Sequence, residues 1–300
     1  MASFFDRNRF NDYSLFLLFL VLPLHRNFST LAILVIALFS IINIANKKAL
    51  PKNQIDWFLP LLFLYYLAST LLTGGPWSAI EKRLLLVVIP ILFWLNPGFF
   101  KESLRSKIYW SYIIGILLAE TICLIVAIQN SVSFLDGSLT FNAKVFPDAE
   151  YGFLTASVRD GNYFFGQEFS LFLHPIYFGI YIVVAQFLIF EILTASKGSY
   201  RKVLISLIYF AQFIFLFLLS SKAAIISSFF LTLYLFWTIK LPNSLRALVV
   251  IGVIIFSFFF ANLNPKMKVF TDTFFAGLSI NPNARFGHDL RILSWDASVD

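Results

Sequence analysis

Long apolar runs constrain the fold of this chain more than any other feature of its sequence. A helix needs roughly 20 apolar residues to cross the hydrocarbon core of a bilayer. Backbone polar groups in lipid have to pair within their own segment, so each run is predicted to be a helix. The sequence predicts an all-α, polytopic transmembrane helix bundle of about nine spans. They cover residues 10–24, 28–45, 57–73, 84–95, 108–128, 169–194, 203–219, 223–239 and 247–263.

The composition excludes an ordinary soluble domain. Hydrophobic residues make up 59% of the chain and charged residues 13%, against roughly half and a quarter in soluble domains. The single cysteine, Cys123, excludes an internal disulfide and a cysteine-based zinc cluster. No phosphate-loop, dinucleotide-binding or metalloprotease motif occurs, so no metal and no cofactor is predicted.

The distribution of Lys and Arg predicts the orientation in the membrane. With the N-terminus on the cytoplasmic side, the short outer loops hold only Arg26, Lys82, Arg83 and Lys222, and the short inner loops hold many more basic residues. Cytoplasmic loops carry this excess in membrane proteins. The net charge of +7 therefore reflects orientation, and no nucleic-acid partner is predicted.

Two outer segments are too long to be simple connectors. Residues 1–263 are predicted to form the bundle, including an outer loop at 129–168 that is expected to be functional. Residues 264–300 begin a second large outer segment, whose tail RFGHDLRILSWDASVD resembles an amphipathic helix. Because the chain stops inside that helix, we expect the sequence to be a fragment.

Basic side chains gather at the predicted outer boundary of the membrane. Lys222, Arg83 and Arg291 are predicted there, and clustered cations in a low dielectric suit a diphosphate. No acidic pair suggests a metal site, so these cations would replace a metal ion in stabilising a leaving diphosphate. Each also has a plain structural interpretation: a snorkelling lysine, an interfacial anchor beside Glu81, and a solvated tail helix.

Polar and aromatic neighbours of these cations are predicted to line an outward-facing cavity, namely His174, Tyr177, Ser221 and Trp295. His174 is expected about two turns inside the outer face, either as a donor into the cavity or buried against another helix. Trp295 shares a helix face with Arg291 at a spacing of four residues. Deeper in the spans, Glu120 and Glu191 suggest a proton relay or structural pairing.

Four segments resemble the bacterial O-antigen ligase and O-antigen polymerase family over roughly residues 80–300. They are EKRLLLVVIPILF at 81–93, HPIYFGIYIVVA at 174–185, LLSSKAAIISSFFLTLYLF at 218–236 and RILSWDASVD at 291–300. Their order and predicted membrane sides agree with the family. The third segment has Lys222 where the family usually has an arginine, which removes the bidentate geometry of a guanidinium.

The resemblance implies a glycosyltransferase of the bacterial inner membrane that acts at the periplasmic face without a metal. Members transfer a glycan from undecaprenyl diphosphate to the lipid A core, as ligases, or to another lipid-linked glycan, as polymerases. Residues matching Lys222 and Arg291 would bind the diphosphate. The family's catalytic histidine is expected beyond Asp300, so no catalytic residue is assigned.

Two other classes of protein stay open. A multi-pass transporter or lipid-linked oligosaccharide flippase needs polar groups through the full membrane depth, and Glu120 and Glu191 are the candidates for that role. A non-catalytic membrane scaffold would leave the outer cations unexplained.

Overall fold

The computed structural model describes residues 7–47, 57–81, 83–96, 101–135, 138–145 and 161–238, with Ile251 and Ile255. Helices account for 78% of these residues, which confirms the predicted helical fold class. The helices are α1 (Arg7–Val21), α2 (Arg26–Lys47), α3 (Phe58–Leu72), α4 (Trp77–Glu81), α5 (Leu85–Leu95), α6 (Glu102–Ser131), α7 (Pro175–Ala195), α8 (Ser199–Leu219) and α9 (Lys222–Thr238).

Three of the helices are long and apolar enough to cross a membrane. They are α6 with 30 residues, and α7 and α8 with 21 residues each. Shorter apolar helices occupy Asp12–Val21, Asn27–Ile42, Phe58–Leu72 and Lys222–Leu235. The count of about nine spans stays a prediction, and most of the span predicted at 247–263 lies outside the described residues.

The chain divides into two compact units, of which the first comprises Met1–Val126 and Ser170–Phe215. Within it, the hydroxyl of Tyr112 on α6 donates a hydrogen bond to the carbonyl of Tyr181 on α7, 3.0 Å away. Helices α1, α2 and α5 share an apolar cluster built on Leu15, Ile36 and Leu92. The hydrogen bond places α6 against α7. The apolar cluster forms a separate core for α1, α2 and α5.

The fourth predicted span, at 84–95, corresponds to α5, which covers Leu85–Leu95. An alternative start near residue 79 is not observed, because α4 at Trp77–Glu81 is a separate five-residue helix. Eleven residues at 1.5 Å per residue reach about 16 Å, roughly half the hydrocarbon thickness. Helix α5 alone therefore does not cross a bilayer.

The second unit comprises Ala127–Phe169 and Leu216–Asp300. Here α6 continues to Ser131, and an antiparallel hairpin follows, formed by β1 (Val132–Leu135) and β2 (Ser138–Phe141) with Val132 opposite Phe141. The all-α prediction is corrected at this point. Branched and aromatic residues such as those in VSFL favour strands, and Asp136-Gly137 between them is a dipeptide typical of tight hairpins.

Candidate functional site

A sharp helix break lies between α8 and α9 in the second unit. Helix α8 ends at Leu219, and Ser220 takes the left-handed backbone conformation with φ of 51°. The amide of Ser220 donates to the carbonyls of Leu216 and Phe217, at 3.1 Å each. A non-glycine residue in this region costs of order 1–3 kcal/mol, and such residues cluster at functional sites as well as at helix ends. Only Ser220 and Ser221 separate the two helices, as the near absence of a loop in the sequence predicts.

Ser221, the second residue of the break, is buried with its hydroxyl unsatisfied. Its Oγ has no hydrogen-bond partner among the described residues, although its carbonyl accepts from the amide of Ile225 at 2.9 Å. The N-terminus of α9, which begins at the next residue, contributes a partial positive charge. A buried polar atom without a partner lowers stability by about 1–3 kcal/mol. The Ser221 hydroxyl therefore favours a ligand that supplies a hydrogen-bond acceptor.

Lys222 is the first residue of α9 and is half-buried. Its charge therefore adds to the partial positive charge of the helix N-terminus, an arrangement that favours anions. Snorkelling also predicts a half-buried lysine at a helix end. Snorkelling does not explain the buried Ser221 hydroxyl, which the anion interpretation does.

Part of the predicted outer loop packs against the end of α8. The ring of Phe165, which is buried, lies 5.7 Å from the ring of Phe217. The amide of Gly166 donates to the carbonyl of Leu218 over 2.8 Å. A segment of the long loop at 129–168 is thereby fixed beside the break at Ser220, Ser221 and Lys222, which we call the Ser-Ser-Lys break.

Arg83, the second predicted cation, belongs to the first unit, where its guanidinium contacts Ala79 and Tyr66. Its Nη1 donates to the carbonyl of Ala79 at 2.9 Å. Its guanidinium carbon lies 4.4 Å from the centre of the Tyr66 ring, a cation–π distance. These contacts match the interfacial-anchor interpretation of Arg83.

His174 lies at the start of α7 and not inside the helical span that the sequence predicted from residue 169. It is exposed and caps α7, where its Nδ1 accepts from the amide of Ile176 at 3.4 Å. Pro175 is favoured at the first helical position, so the helix starts after His174 and the expectation of a buried histidine is also wrong. The imidazole lies edge-on to the exposed ring of Tyr177, 6.2 Å away.

The remaining predicted residues are distributed as follows. Arg291 and Trp295 lie outside the described residues. The buried carboxyl of Glu120 accepts a hydrogen bond from Gln212 at 3.2 Å, and Glu191 pairs with Arg105 at 3.2 Å. Both acidic residues therefore show the structural pairing that was one of their two interpretations.

Sequence reasoning missed a polar cavity of about 640 Å³ in the first unit. Arg105, Glu191, Lys197 and Arg201 line it. In the sequence, Lys197 and Arg201 lie in and beside a short predicted inner loop, where basic residues indicate only the orientation of the helices. Their clustering depends on how α6 meets α7 and α8.

Comparisons of this chain with protein-family models, characterised proteins and solved structures find no match. In the part of the chain that the structure describes, no group of three or more His, Cys, Asp or Glu side chains could hold a metal ion. The chemistry of the site is therefore inferred from its own residues.

Proposed function

We propose that this chain is an integral membrane glycosyltransferase of the O-antigen ligase or polymerase kind. In this proposal, the Ser-Ser-Lys break binds the diphosphate of an undecaprenyl-diphosphate-linked glycan. The observation that carries the proposal is the buried Ser221 hydroxyl without a partner, directly before a half-buried lysine at a helix N-terminus. A phosphate oxygen would satisfy that hydroxyl, and the N-terminus of α9 would favour the negative charge of the phosphate.

The reaction that fits such a site is a displacement at the anomeric carbon of the carrier-linked sugar. An acceptor hydroxyl on the lipid A core or on another glycan attacks that carbon and passes its proton to a general base. The bond to the diphosphate oxygen breaks, and the diphosphate leaves with the electron pair. Lys222 and the N-terminus of α9 stabilise the charge that develops on it, and Arg83 and Arg291 are the further predicted cations.

The membrane helices support a lipid-linked substrate. Helices α6, α7 and α8 are apolar enough to cross a bilayer, and a polyprenyl carrier is confined to one. The loop anchored by Phe165 and Gly166 lies beside the break, where an acceptor glycan would have to approach. We propose that this face is periplasmic and that the membrane is the bacterial inner membrane.

Complementation tests the proposal. In a host strain that lacks this gene, the Lys222→Ala and Ser221→Ala variants should reduce transferred surface glycan on gels at least about tenfold, because charge-assisted hydrogen bonds contribute roughly 1.5–3 kcal/mol. The matched control is Lys202→Ala, an exposed lysine in the first turn of α8. Unchanged glycan banding in both test variants, at equal protein levels, would contradict the proposal.

A transporter or lipid-linked oligosaccharide flippase is the second candidate, and one observation favours it. Glu120 and Gln212 are buried in membrane helices, and each keeps one oxygen without a partner among the described residues. A transport role would need the acid at Glu120. The Glu120→Gln variant should then abolish function, whereas a structural pair would tolerate it.

A further inference from the structure

Ends of the three membrane-crossing helices surround the polar cavity of the first unit, which we call the basic cavity. Helix α6 begins at Glu102, α7 ends at Ala195 and α8 begins at Ser199. Residues from each of these ends line it. The ends of membrane-crossing helices lie where hydrocarbon meets headgroups, so the basic cavity lies at headgroup depth.

Both acidic side chains of the basic cavity pair with the same arginine, whose single positive charge offsets one of their two negative charges. Arg105 donates through Nη1 to Glu102 at 3.4 Å and through Nη2 to Glu191 at 3.2 Å. Its Nε donates to the hydroxyl oxygen of Tyr109 at 2.8 Å. One arginine thus engages both carboxylates, and the Tyr109 hydroxyl keeps its proton for another acceptor.

Two further basic residues of the cavity, Lys197 and Arg201, lack such a counter-ion. Both are exposed, and no carboxylate among the described residues pairs with either. They flank the start of α8 at Ser199, where the helix N-terminus contributes additional positive charge. Three basic and two acidic side chains line the cavity, so its formal charge is positive by one unit, and the two cations that pair with no described carboxylate lie beside the start of α8.

We propose that the basic cavity binds the phosphate of an anionic glycerophospholipid headgroup. Lys197, Arg201 and the Tyr109 hydroxyl donate to the phosphate oxygens, which are strong acceptors of charged hydrogen bonds. This site is separate from the Ser-Ser-Lys break and does not depend on the function proposed for that break.

The surface below the cavity argues for a lipid and against a soluble phosphate compound. Leu204, three residues after Arg201 on the same face of α8, is 48% exposed. Phe187, four residues before Glu191 on the same face of α7, is 38% exposed. Leu204 and Phe187 each lie about one turn deeper than a residue that lines the cavity, so they offer acyl chains an apolar surface directly under the headgroup.

Lipid titration of the purified full chain in a neutral detergent tests the proposal. Short-chain phosphatidylglycerol should raise the thermal unfolding temperature at lower concentration than phosphatidylcholine does. Each basic side chain near an anionic membrane surface contributes roughly fivefold to binding. The Lys197→Gln/Arg201→Gln double variant should therefore bind phosphatidylglycerol about 25-fold more weakly. The control Lys107→Gln/Lys202→Gln removes two exposed charges outside the cavity lining.

The titrations distinguish a lipid headgroup from a soluble phosphate compound as the ligand of the cavity. Weak binding of glycerol 3-phosphate beside tight binding of phosphatidylglycerol supports a lipid site. Equal binding of the two would assign the cavity to a soluble phosphate compound and overturn the lipid assignment. Equal binding of phosphatidylglycerol and phosphatidylcholine, or equal losses in the two double variants, would overturn the site itself.

Discussion

Gln212 donates a hydrogen bond from Nε2 to Oε2 of Glu120 across 3.2 Å, and both side chains are fully buried. The bond joins α8 to α6 inside the first unit. Each residue also keeps an oxygen without a partner among the described residues. The pair is therefore a polar contact among apolar side chains. Removing one partner should lower the stability of the protein more than removing both.

Removal of Gln212 alone should destabilise the protein. The Gln212→Leu variant leaves the Glu120 carboxyl buried with no donor, and the free energy of unfolding should fall by about 1–3 kcal/mol. The double variant Glu120→Leu/Gln212→Leu should recover most of that loss, because neither polar group remains. Reversible unfolding of the purified chain in mixed micelles measures both values, and a double variant less stable than Gln212→Leu would contradict the pairing.

Gly115 should not tolerate even one added methyl group. A Cβ at this position would lie 2.1 Å from the carbonyl oxygen of Leu20, which is backbone and cannot rotate away. In an open helix, Gly→Ala stabilises by up to about 1 kcal/mol. Gly115→Ala should instead destabilise by about 1–3 kcal/mol.

The neighbouring Ile114→Ala variant controls for that substitution. Ile114 is exposed, so its truncation should change detergent-solubilised stability much less. The sign of the Gly115→Ala effect, measured by thermal unfolding, decides the case. A stabilised variant would show that α6 does not approach the end of α1 this closely.

The sequence predicted the helices well because apolar length alone determines them. The runs at 108–128 and 203–219 correspond to α6 and α8 within a few residues. The run at 84–95 likewise corresponds to α5, which starts at Leu85. The span predicted at 169–194 began too early, because apolar residues continue before Pro175, where α7 starts with His174 as its cap.

The apolar runs also made part of the candidate site predictable. The run LLSSKAAIISS showed a charge between two apolar segments, so Lys222 was found. The left-handed Ser220 and the unsatisfied Ser221 hydroxyl depend on backbone geometry that composition does not encode. The basic cavity required three helix ends to meet, and spacing along the chain gives no sign of that.

Asn96 should matter more to stability than its partner Ser40. Its Nδ2 donates to the Ser40 hydroxyl at 2.6 Å and to the carbonyl of Leu92 at 2.8 Å, joining the end of α5 to α2. Asn96→Ala loses both bonds and should cost about 1–3 kcal/mol. Ser40→Ala should cost less, because Asn96 keeps Leu92. Thermal unfolding of both variants checks the order, and the reverse order would contradict it.

Lys222→Arg should strengthen diphosphate binding, and Lys222→Gln should weaken it. A guanidinium can donate two parallel hydrogen bonds to a phosphate, whereas an ammonium acts as a point charge. A charge-assisted hydrogen bond contributes roughly 1.5–3 kcal/mol, or about 10- to 100-fold in affinity. Calorimetric titration of the purified chain with farnesyl diphosphate measures the series Arg, Lys and Gln at this position.

Farnesol, which has the same chain without phosphates, is the control ligand for that series, and Lys202→Gln is the control variant. Farnesol should bind all variants equally weakly, because the isoprenoid alone leaves the Ser221 hydroxyl without an acceptor and brings no negative charge to the N-terminus of α9. Lys202 lies in the first turn of α8, so its substitution should leave farnesyl diphosphate affinity unchanged. Equal affinity of farnesol and farnesyl diphosphate for the unmodified chain would mean that the Ser-Ser-Lys break does not bind phosphate.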